Sequence, residues 1–585
     1  MIRKNFKLFM KSKHISIPLI LLLFFVTGKW LYSFIFRYFP FHETANSFDY
    51  LSLGLEDCLI IFLVLVYCSY ELYRMVKKSN MEEVILSHKK GQLKALLSIF
   101  AILLFAVLYI FLIEIIANIF IYIDLGFSDF KYLIHIFSVN FLYIIFSGII
   151  AILLGLLLAS KFKRRVSAYA ILSLIIFVMS PVSDFIPGGF SLNTGINLWQ
   201  YKRFLSYILP SDITWYAYWD YGINAEIYRW NLSLFWIFLL AFLLIFSCVK
   251  LKKIIKAPIL CTLAVLTVFN GYGYFKSGSS LERGPEVDSI SMFDYVYYTK
   301  QNNPMLFKKA DFQVSSYKID LNIWRQLEAE VSMTLSDSNL KSYDFTLYHG
   351  YDVQQVTDFN GNPLNFERNS DYITITGNGN ISGIKIKYSG SSEIFYSNSQ
   401  AVCLPGFFPY YPIPGFYPLK IQSTDDYGYT YSYSNPITNH NKPNFEINVS
   451  TSQQVYSNLE ETSQNNSFKG TTDCPVLFSG FYKEKYVDGY RVLDSSSPQH
   501  SILEDFSPQQ LQTALDELDE NTDDKINLED YTIIYAPPPF GSYGIQVYYG
   551  SDVILISYFD DYSKIAEALI FQKDYKYDYY REQSR

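Results

Sequence analysis

Residues 95–117 read ALLSIFAILLFAVLYIFLIEIIA and contain a single charged residue, Glu114. As an α-helix this stretch is about 34 Å long, which is enough to cross the ~30 Å hydrocarbon core of a bilayer. Six more apolar runs of this kind lie at 15–36, 54–75, 134–160, 166–186, 231–251 and 257–274. The first 275 residues therefore predict an α-helical polytopic membrane bundle of seven spans.

The remaining 310 residues contain no apolar run of that length. Short alternating patterns follow one another instead, among them YKIDLNI (317–323), DYITITGN (371–378) and GIKIKYSG (383–390). They are bounded by the Asp, Asn, Gly and Ser residues that β-hairpins use. We expect a mostly-β domain, with a β-sandwich over residues 310–440 and a small α+β part over residues 444–585.

The two parts of the chain carry opposite net charge. Residues 1–275 hold 25 Lys and Arg against 14 Asp and Glu, whereas residues 276–585 hold 23 against 41. A basic membrane region is suited to anionic lipids, and an acidic soluble region argues against nucleic acid as a partner. Solubility is the simplest reason for the acidic excess.

Basic residues are concentrated in every second connection between the spans. The basic segments contain Arg3, Lys4, Lys7, Lys11 and Lys13; Arg74, Lys77, Lys78, Lys89, Lys90 and Lys94; Lys161, Lys163, Arg164 and Arg165; and Lys250, Lys252, Lys253 and Lys256. Because basic connections are retained in the cytoplasm, the N-terminus is predicted to be cytoplasmic. Seven crossings of the cell membrane then place residues 276–585 outside the cell.

Two cytoplasmic segments have amphipathic patterns. Residues 1–14 alternate apolar and lysine positions in a way that favours a helix lying flat among the inner headgroups, although a disordered basic leader is the alternative. The loop MEEVILSHKKGQLKALL (81–97) is too polar to insert, and it predicts a short helix that docks a soluble partner. Its docking residues are Glu82, Glu83, Val84, Ile85 and Leu86. A plain surface helix is the alternative.

The layout of residues 1–255 resembles the permease of a type-2 ABC exporter. The resemblance rests on the basic lead, six crossings, the E-E-V-I-L-S helix (82–87) in the first cytoplasmic loop and an irregular outer loop before the last core span. It implies that the short helix docks a separate ABC ATPase subunit, and that the chain pairs with a second copy or a sister permease. The span at 257–274 is an addition that carries the chain back outside.

The chain has no G-x-x-x-x-G-K-[ST] loop, so it is not expected to bind ATP itself, and no cofactor is predicted. Five charged residues lie near the outer ends of the spans, namely Lys29, Glu56, Asp57, Glu114 and Asp184. Charges at such depth commonly line a cavity or pair with one another, which predicts an outward-facing vestibule. Snorkelling of these side chains to the outer headgroups is an equal alternative.

Several phrases of the C-terminal half, in order, resemble the gluzincin aminopeptidases, the aminopeptidase N family. They are IKIKYSG (384–390), LPGFFPYYPIPGF (404–416), NFEINVSTSQQVYSN (444–458) and FSGFYKEKYVDGYRV (478–492). The resemblance implies a β-sandwich followed by the opening of a catalytic domain. The family's H-E-x-x-H zinc motif is absent from this chain.

The nearest relic of that motif runs from Ile565 to Ile570, where the family's zinc ligands would fall on Ala566 and Ile570 and its general base on Glu567. Neither alkyl side chain can donate a lone pair to Zn²⁺. We therefore expect a truncated, non-catalytic domain without a metal. An acidic run from Asp519 to Asp530 matches much of a calcium loop, but position six is Asp524 rather than Gly, which favours a solvated turn.

Two cysteines, Cys403 and Cys474, lie in the soluble half, and a disulfide between them is one of two alternatives. The sequence as a whole predicts a membrane-spanning ABC permease that exports or clears a peptide or an amphipathic molecule, antimicrobial peptides being one example. Two rivals remain. One is a membrane-tethered receptor or immunity protein that binds a peptide without transport, and the other is a metallopeptidase.

Overall fold

The computed structural model divides the chain into two compact units, one formed by Met1–Ile213 and Ile223–Glu282 and the other by Thr214–Gly222 and Arg283–Arg585. The structure describes residues 2–42, 47–78, 91–127, 129–162, 164–179, 183, 185–186, 190, 204–205, 221–249, 252–276, 297, 306–324, 326–336, 339–377, 381–392, 395, 397–425, 428–433, 441–496, 506–518, 525–535, 547–556 and 561–575. Each unit is described by itself.

The first unit is helical. Its helices are α1 (Ile2–Lys11), α2 (Lys13–Ser33), α3 (Ser47–Leu55), α4 (Cys58–Lys78), α5 (Gly91–Asp124), α6 (Phe130–Asn140), α7 (Ser147–Lys161), α8 (Arg165–Met179), α9 (Ile227–Cys248) and α10 (Lys253–Phe275). Short π-helical segments at Phe34–Tyr38 and Phe141–Phe146 extend α2 and join α6 to α7.

Six of the described helical stretches are long and apolar enough to cross a membrane. They are Lys13–Tyr38, Asp49–Lys77, Gly91–Asp124, Phe130–Lys161, Ile227–Cys248 and Lys253–Phe275. The span predicted at 166–186 begins as α8, which has 15 residues and is about 22 Å long. The structure therefore confirms an apolar helical region, and the count of seven crossings stays a prediction.

The outer surface of this unit is apolar. Large apolar side chains on α10, for example Val265 at 66% and Val268 at 71% exposure, face away from the protein. The helical stretch Phe130–Lys161 is mostly buried and forms the centre of the bundle. Exposed apolar helix faces of this extent are suited to hydrocarbon rather than to water.

Helices α4 and α7 pack closely because a glycine stands between them. A Cβ added at Gly155 would overlap Ser69 Oγ and would lie 2.5 Å from the carbonyl oxygen of Val66. Small residues of this kind let the backbones of membrane helices approach each other.

We predict that Gly155→Ala lowers the thermal unfolding midpoint of the purified protein in detergent, with a loss of about 1–3 kcal/mol from overpacking. Gly28→Ala on α2 is the matched control, because a Cβ there meets nothing within 4 Å. Equal midpoints for the two variants would contradict the close approach of α4 and α7.

The second unit is mostly β, as predicted. Its strands are β1 (Val314–Ile323), β2 (Leu327–Leu335), β3 (Ser342–Thr346), β4 (Tyr351–Asp358), β5 (Phe366–Asn369), β6 (Tyr372–Thr376), β7 (Gly383–Gly390), β8 (Val402–Leu404), β9 (Ile413–Pro414), β10 (Lys420–Asp425), β11 (Gly428–Tyr433), β12 (Asn444–Ser450), β13 (Tyr456–Ser457), β14 (Glu460–Glu461), β15 (Ser467–Thr471), β16 (Leu477–Ser479), β17 (Tyr482–Val487), β18 (Tyr490–Ser495), β19 (Thr532–Tyr535), β20 (Val547–Tyr549) and β21 (Val553–Ile556). Two helices, α11 (Pro508–Leu518) and α12 (Tyr562–Tyr575), follow in the last part.

A seven-stranded sheet in the order β14-β15-β12-β1-β2-β7-β4 and a four-stranded sheet in the order β5-β6-β3-β9 share one core. Strand β1 alternates, with Tyr317, Ile319 and Leu321 buried between exposed residues. These side chains belong to the same cluster as Phe345 of β3 and Ile373 of β6. The alternation buries one face of each strand, as a sandwich requires.

The boundary that we predicted between the sandwich and the α+β part does not separate the sheets. Strand β12, which opens the predicted α+β part, pairs in parallel with β1 over Ser316–Asn322 and thus lies inside the seven-stranded sheet. Beyond it, a five-stranded sheet in the order β17-β18-β19-β21-β20 packs against α11 and α12 around a second core.

Both cysteines of the soluble half are free thiols with no exposed surface, so the structure has no disulfide between Cys403 and Cys474. Complete burial raises the pKa of the Cys403 thiol. The thiol therefore stays protonated at neutral pH and acts as a small apolar side chain.

Candidate functional site

Three of the five charges predicted near the outer ends of the spans meet inside the helical unit. Lys29 of α2 forms an ion pair with Asp57, at the junction of α3 and α4, and donates a second hydrogen bond to the carbonyl oxygen of Leu53 at 2.7 Å. The two charged side chains are only 14% and 12% exposed. Glu114 of α5 lies beside this pair and interacts electrostatically with both charges.

Glu114 occupies a space that a glycine provides. Its side chain is 1% exposed, and a Cβ added at Gly54 would overlap its Oε2 atom. Within the described residues, Oε2 has no hydrogen-bond partner. A buried carboxyl group next to an ion pair is costly in an apolar bundle, and such groups usually mark a functional site in membrane proteins. We refer to Lys29, Asp57 and Glu114 as the outer charge cluster.

The other two predicted charges are not part of this cluster. Glu56 is exposed, although it precedes Asp57 in the chain, and Asp184 lies outside the described residues. The docking residues Glu82, Glu83, Val84, Ile85 and Leu86 also lie outside the described residues. For these positions the structure gives no information, and the sequence predictions stand as they are.

A second charge cluster was not predicted. Glu71 of α4 is 1% exposed and accepts hydrogen bonds from Arg165 Nη2 at 3.1 Å, Tyr169 OH at 2.8 Å and Arg74 Nη1 at 3.3 Å. His14 Nε2 of α2 lies 4.0 Å from the same carboxylate. We call this set the Glu71 cluster, and it joins the adjacent ends of α2, α4 and α8.

The signal for the Glu71 cluster was present in the sequence. Glu71 is an isolated acid in an apolar span, and Arg74 follows it at the i+3 spacing of helical ion pairs. A third network has the same local signature. Arg229 Nε of α9 binds Glu226 Oε2 at 2.8 Å, and both side chains are 3% exposed. Arg229 Nη1 also donates to Tyr143 OH at 3.2 Å.

We predict that Asp57→Asn destabilises the protein by about 3 kcal/mol, since it leaves the Lys29 ammonium buried without its counter-charge. The thermal midpoint in detergent measures this loss. Glu56→Gln is the matched control, because its neighbouring carboxylate is exposed, and it should leave the midpoint unchanged. Replacing both partners, Lys29→Met with Asp57→Leu, should recover part of the loss, and no difference between Asp57→Asn and Glu56→Gln would contradict the buried pair.

In the second unit, the relic of the zinc motif lies on α12. Ala566 has no exposed surface and belongs to the core with Leu511 and Ile556, and Ile570 packs partly against that core. Glu567 faces outward and is exposed. The two positions that would carry metal ligands therefore point into hydrocarbon side chains, which cannot bind Zn²⁺.

No group of three or more His, Cys, Asp or Glu side chains suited to a metal ion occurs among the residues that the structure describes. His349 is paired with Asp371 at 3.1 Å and stacks on Tyr297 with a ring separation of 3.7 Å, so its environment is that of a structural contact. His440 and His500 lie outside the described residues.

A buried carboxylate, Asp552, links the sheets of the second unit. It accepts hydrogen bonds from Thr472 Oγ1 at 2.5 Å and from Asn458 Nδ2 at 3.0 Å. Burial raises the pKa of Asp552 above its ordinary value, against the effect of these hydrogen bonds. Since both acceptor atoms are used within the fold, we interpret Asp552 as a structural residue.

Solved structures that are similar to this chain are M1 zinc metallopeptidases. The M1 zinc metallopeptidase from Deinococcus radiodurans is 12% identical, and the match covers 46% of this chain and 64% of that one with a TM-score of 0.30. A mutant of that enzyme gives 13%, 46%, 65% and 0.31. Leukotriene A4 hydrolase from Saccharomyces cerevisiae gives 11%, 42%, 41% and 0.27.

This chain thus spans less than two thirds of the length of those structures. Identities and TM-scores of this size assign neither a family nor an activity to it. No family model and no curated protein matches the chain.

Proposed function

We propose that this chain is the membrane-spanning permease subunit of an ABC transporter, working with a separate cytoplasmic ATPase and a second permease. The observation that carries the proposal is the Glu71 cluster. It lies two helical turns before the end of α4 at Lys78, and from there the chain runs through residues 79–90, most of the segment predicted to dock the ATPase, into α5 at Gly91.

The Glu71 cluster is suited to transmitting a movement. Its hydrogen bonds at 2.8–3.3 Å tie α4 to α8, and His14 brings in α2. Removing one partner from a buried charge network costs about 3–5 kcal/mol, so these helix ends are expected to move together. A displacement of residues 81–97 by an ATPase would then reach three helices at once.

The outer charge cluster supports the transport proposal over a simple membrane anchor. An anchor needs apolar helices alone, and charges buried among them would only reduce its stability. A transporter needs polar groups between its helices that can separate and meet again as the bundle changes between two arrangements. Lys29, Asp57 and Glu114 meet this need, because they come from different helices and only two of them form the ion pair.

The C-terminal unit is proposed to lie outside the cell and to be non-catalytic. Its location is supported by the alternation of basic connections, and the loss of catalysis by the burial of Ala566 in an apolar core. The cargo that we favour is a peptide or an amphipathic molecule. This choice follows from the resemblance of the C-terminal phrases to peptide-cleaving enzymes, and antimicrobial peptides are one example.

We predict that Val84→Asp reduces ATP-dependent transport at least tenfold in proteoliposomes that contain the chain and its ATPase, because it places a charge on the apolar face of the docking helix. Glu82→Lys should act in the same direction. Ser87→Asp is the matched control, since it adds the same charge on a different face of the helix. Membrane insertion should be unchanged in all three variants.

Full transport by Val84→Asp and Glu82→Lys would contradict the permease proposal and favour a receptor that binds its ligand without transport. A metallopeptidase is tested separately by elemental analysis of the purified chain together with a peptide-hydrolysis assay. We expect less than stoichiometric zinc and no hydrolysis. One zinc per chain with activity would overturn the non-catalytic assignment.

A further inference from the structure

A cavity of about 690 Å³ opens between the ends of the spans in the helical unit. It lies where α4, α7 and α9 end and where α5 and α10 begin as far as they are described, so five span ends meet around it. The ends of spans coincide with the headgroup layer of a bilayer. This volume falls within the range of pockets that hold small molecules.

Three lysines line the cavity, namely Lys77, Lys253 and Lys256. In the part of the chain that the structure describes, no carboxylate forms an ion pair with any of them. Lys77 Nζ donates to the carbonyl oxygens of Ala159 and Ser160, both at 3.3 Å, and Lys256 Nζ donates to the carbonyl oxygen of Phe246 at 2.9 Å. These carbonyls belong to the ends of α7 and α9.

The helix ends offset only part of the charge. The C-terminus of a helix carries about half a negative elementary charge, so two of them balance about one of the three lysines. A net charge of about +2 remains around the cavity. Gln92 also lines it, and among the described residues its Oε1 atom is buried without a hydrogen-bond partner. The electrostatics of the cavity therefore favour an anion.

The remaining lining is apolar and continues onto the outer surface. Phe246 and Leu260 line the cavity, and Phe246 is 61% exposed on the outer side of α9. Ile254 and Ile259 of α10 are exposed next to it in the chain, at 87% and 37%. A free inorganic anion would have no use for this surface, whereas acyl chains would cover it.

We propose that this cavity is a binding site for an anionic phospholipid, with the phosphate among Lys77, Lys253 and Lys256 and the acyl chains along α9 and α10. Basic pockets between membrane helices on the cytoplasmic side bind anionic headgroups in this way. The site fits the side of the membrane on which the basic connections lie. It does not depend on whether the chain transports anything.

Native mass spectrometry of the full chain, purified with an equimolar mixture of phosphatidylglycerol and phosphatidylcholine, tests the proposal. We expect at least one phosphatidylglycerol to remain bound per chain, with a preference over phosphatidylcholine of more than tenfold. Each lysine near a lipid surface contributes about fivefold to such binding. Equal retention of the two lipids by the wild-type chain would overturn the proposal without any variant.

The variant Lys77→Gln, Lys253→Gln, Lys256→Gln should lose the preference, and each single substitution should lower it about fivefold. Lys131→Gln is the matched control, because it removes an exposed lysine from α6 at the opposite end of the central span Phe130–Lys161. An unchanged preference in the single variants would overturn the proposal. If the triple variant does not fold, the single variants and the wild-type competition still decide. Displacement of the lipid by inorganic phosphate alone, with no preference between the two lipids, would assign the site to a free anion and also overturn it.

Discussion

Hydrocarbon outside and paired charges inside are the two conditions that the helical unit must satisfy together. Its outward side chains, such as Val268 and Phe269 on α10, are unsuited to water, and its inward charges, such as Glu71 and Asp57, are unsuited to hydrocarbon. Each inward charge is therefore held by a partner from another helix or from the next helical turn. The same pairs that make burial tolerable also fix which helices are neighbours.

The two charge clusters divide the helical unit by depth. The Glu71 cluster joins the ends of α2, α4 and α8 on the side of the basic connections, and the outer charge cluster joins α2, the α3–α4 junction and α5 towards the other side. Helices α2 and α4 take part in both clusters. A tilt of these helices at one end would thus change the distances between charges at the other, which is the behaviour that a transporter driven from one side needs.

Local patterns predicted the elements well, whereas contacts between distant residues could not be predicted. The apolar run at 95–117 lies within α5, and YKIDLNI and GIKIKYSG form β1 and β7, because helix and strand periods are properties of short segments. The parallel pairing of β1 with β12 joins residues more than 120 positions apart. Lys29 and Asp57 were both singled out in the sequence, but their pairing depends on how α2 packs against α4. Glu71 was missed because it was treated as part of an apolar span, although Arg74 marked it. The resemblance to aminopeptidases pointed to Ala566, and only the structure shows that its side chain faces the core.

The account depends most on an odd number of membrane crossings, which places the two ends of the chain on opposite sides. Protease added to intact cells, followed by detection of a tag at each end of the chain, tests this directly. We expect the C-terminal unit to be degraded while the tag before α1 stays protected until the membrane is permeabilised. Protection of both ends in intact cells, or loss of both, would contradict the account.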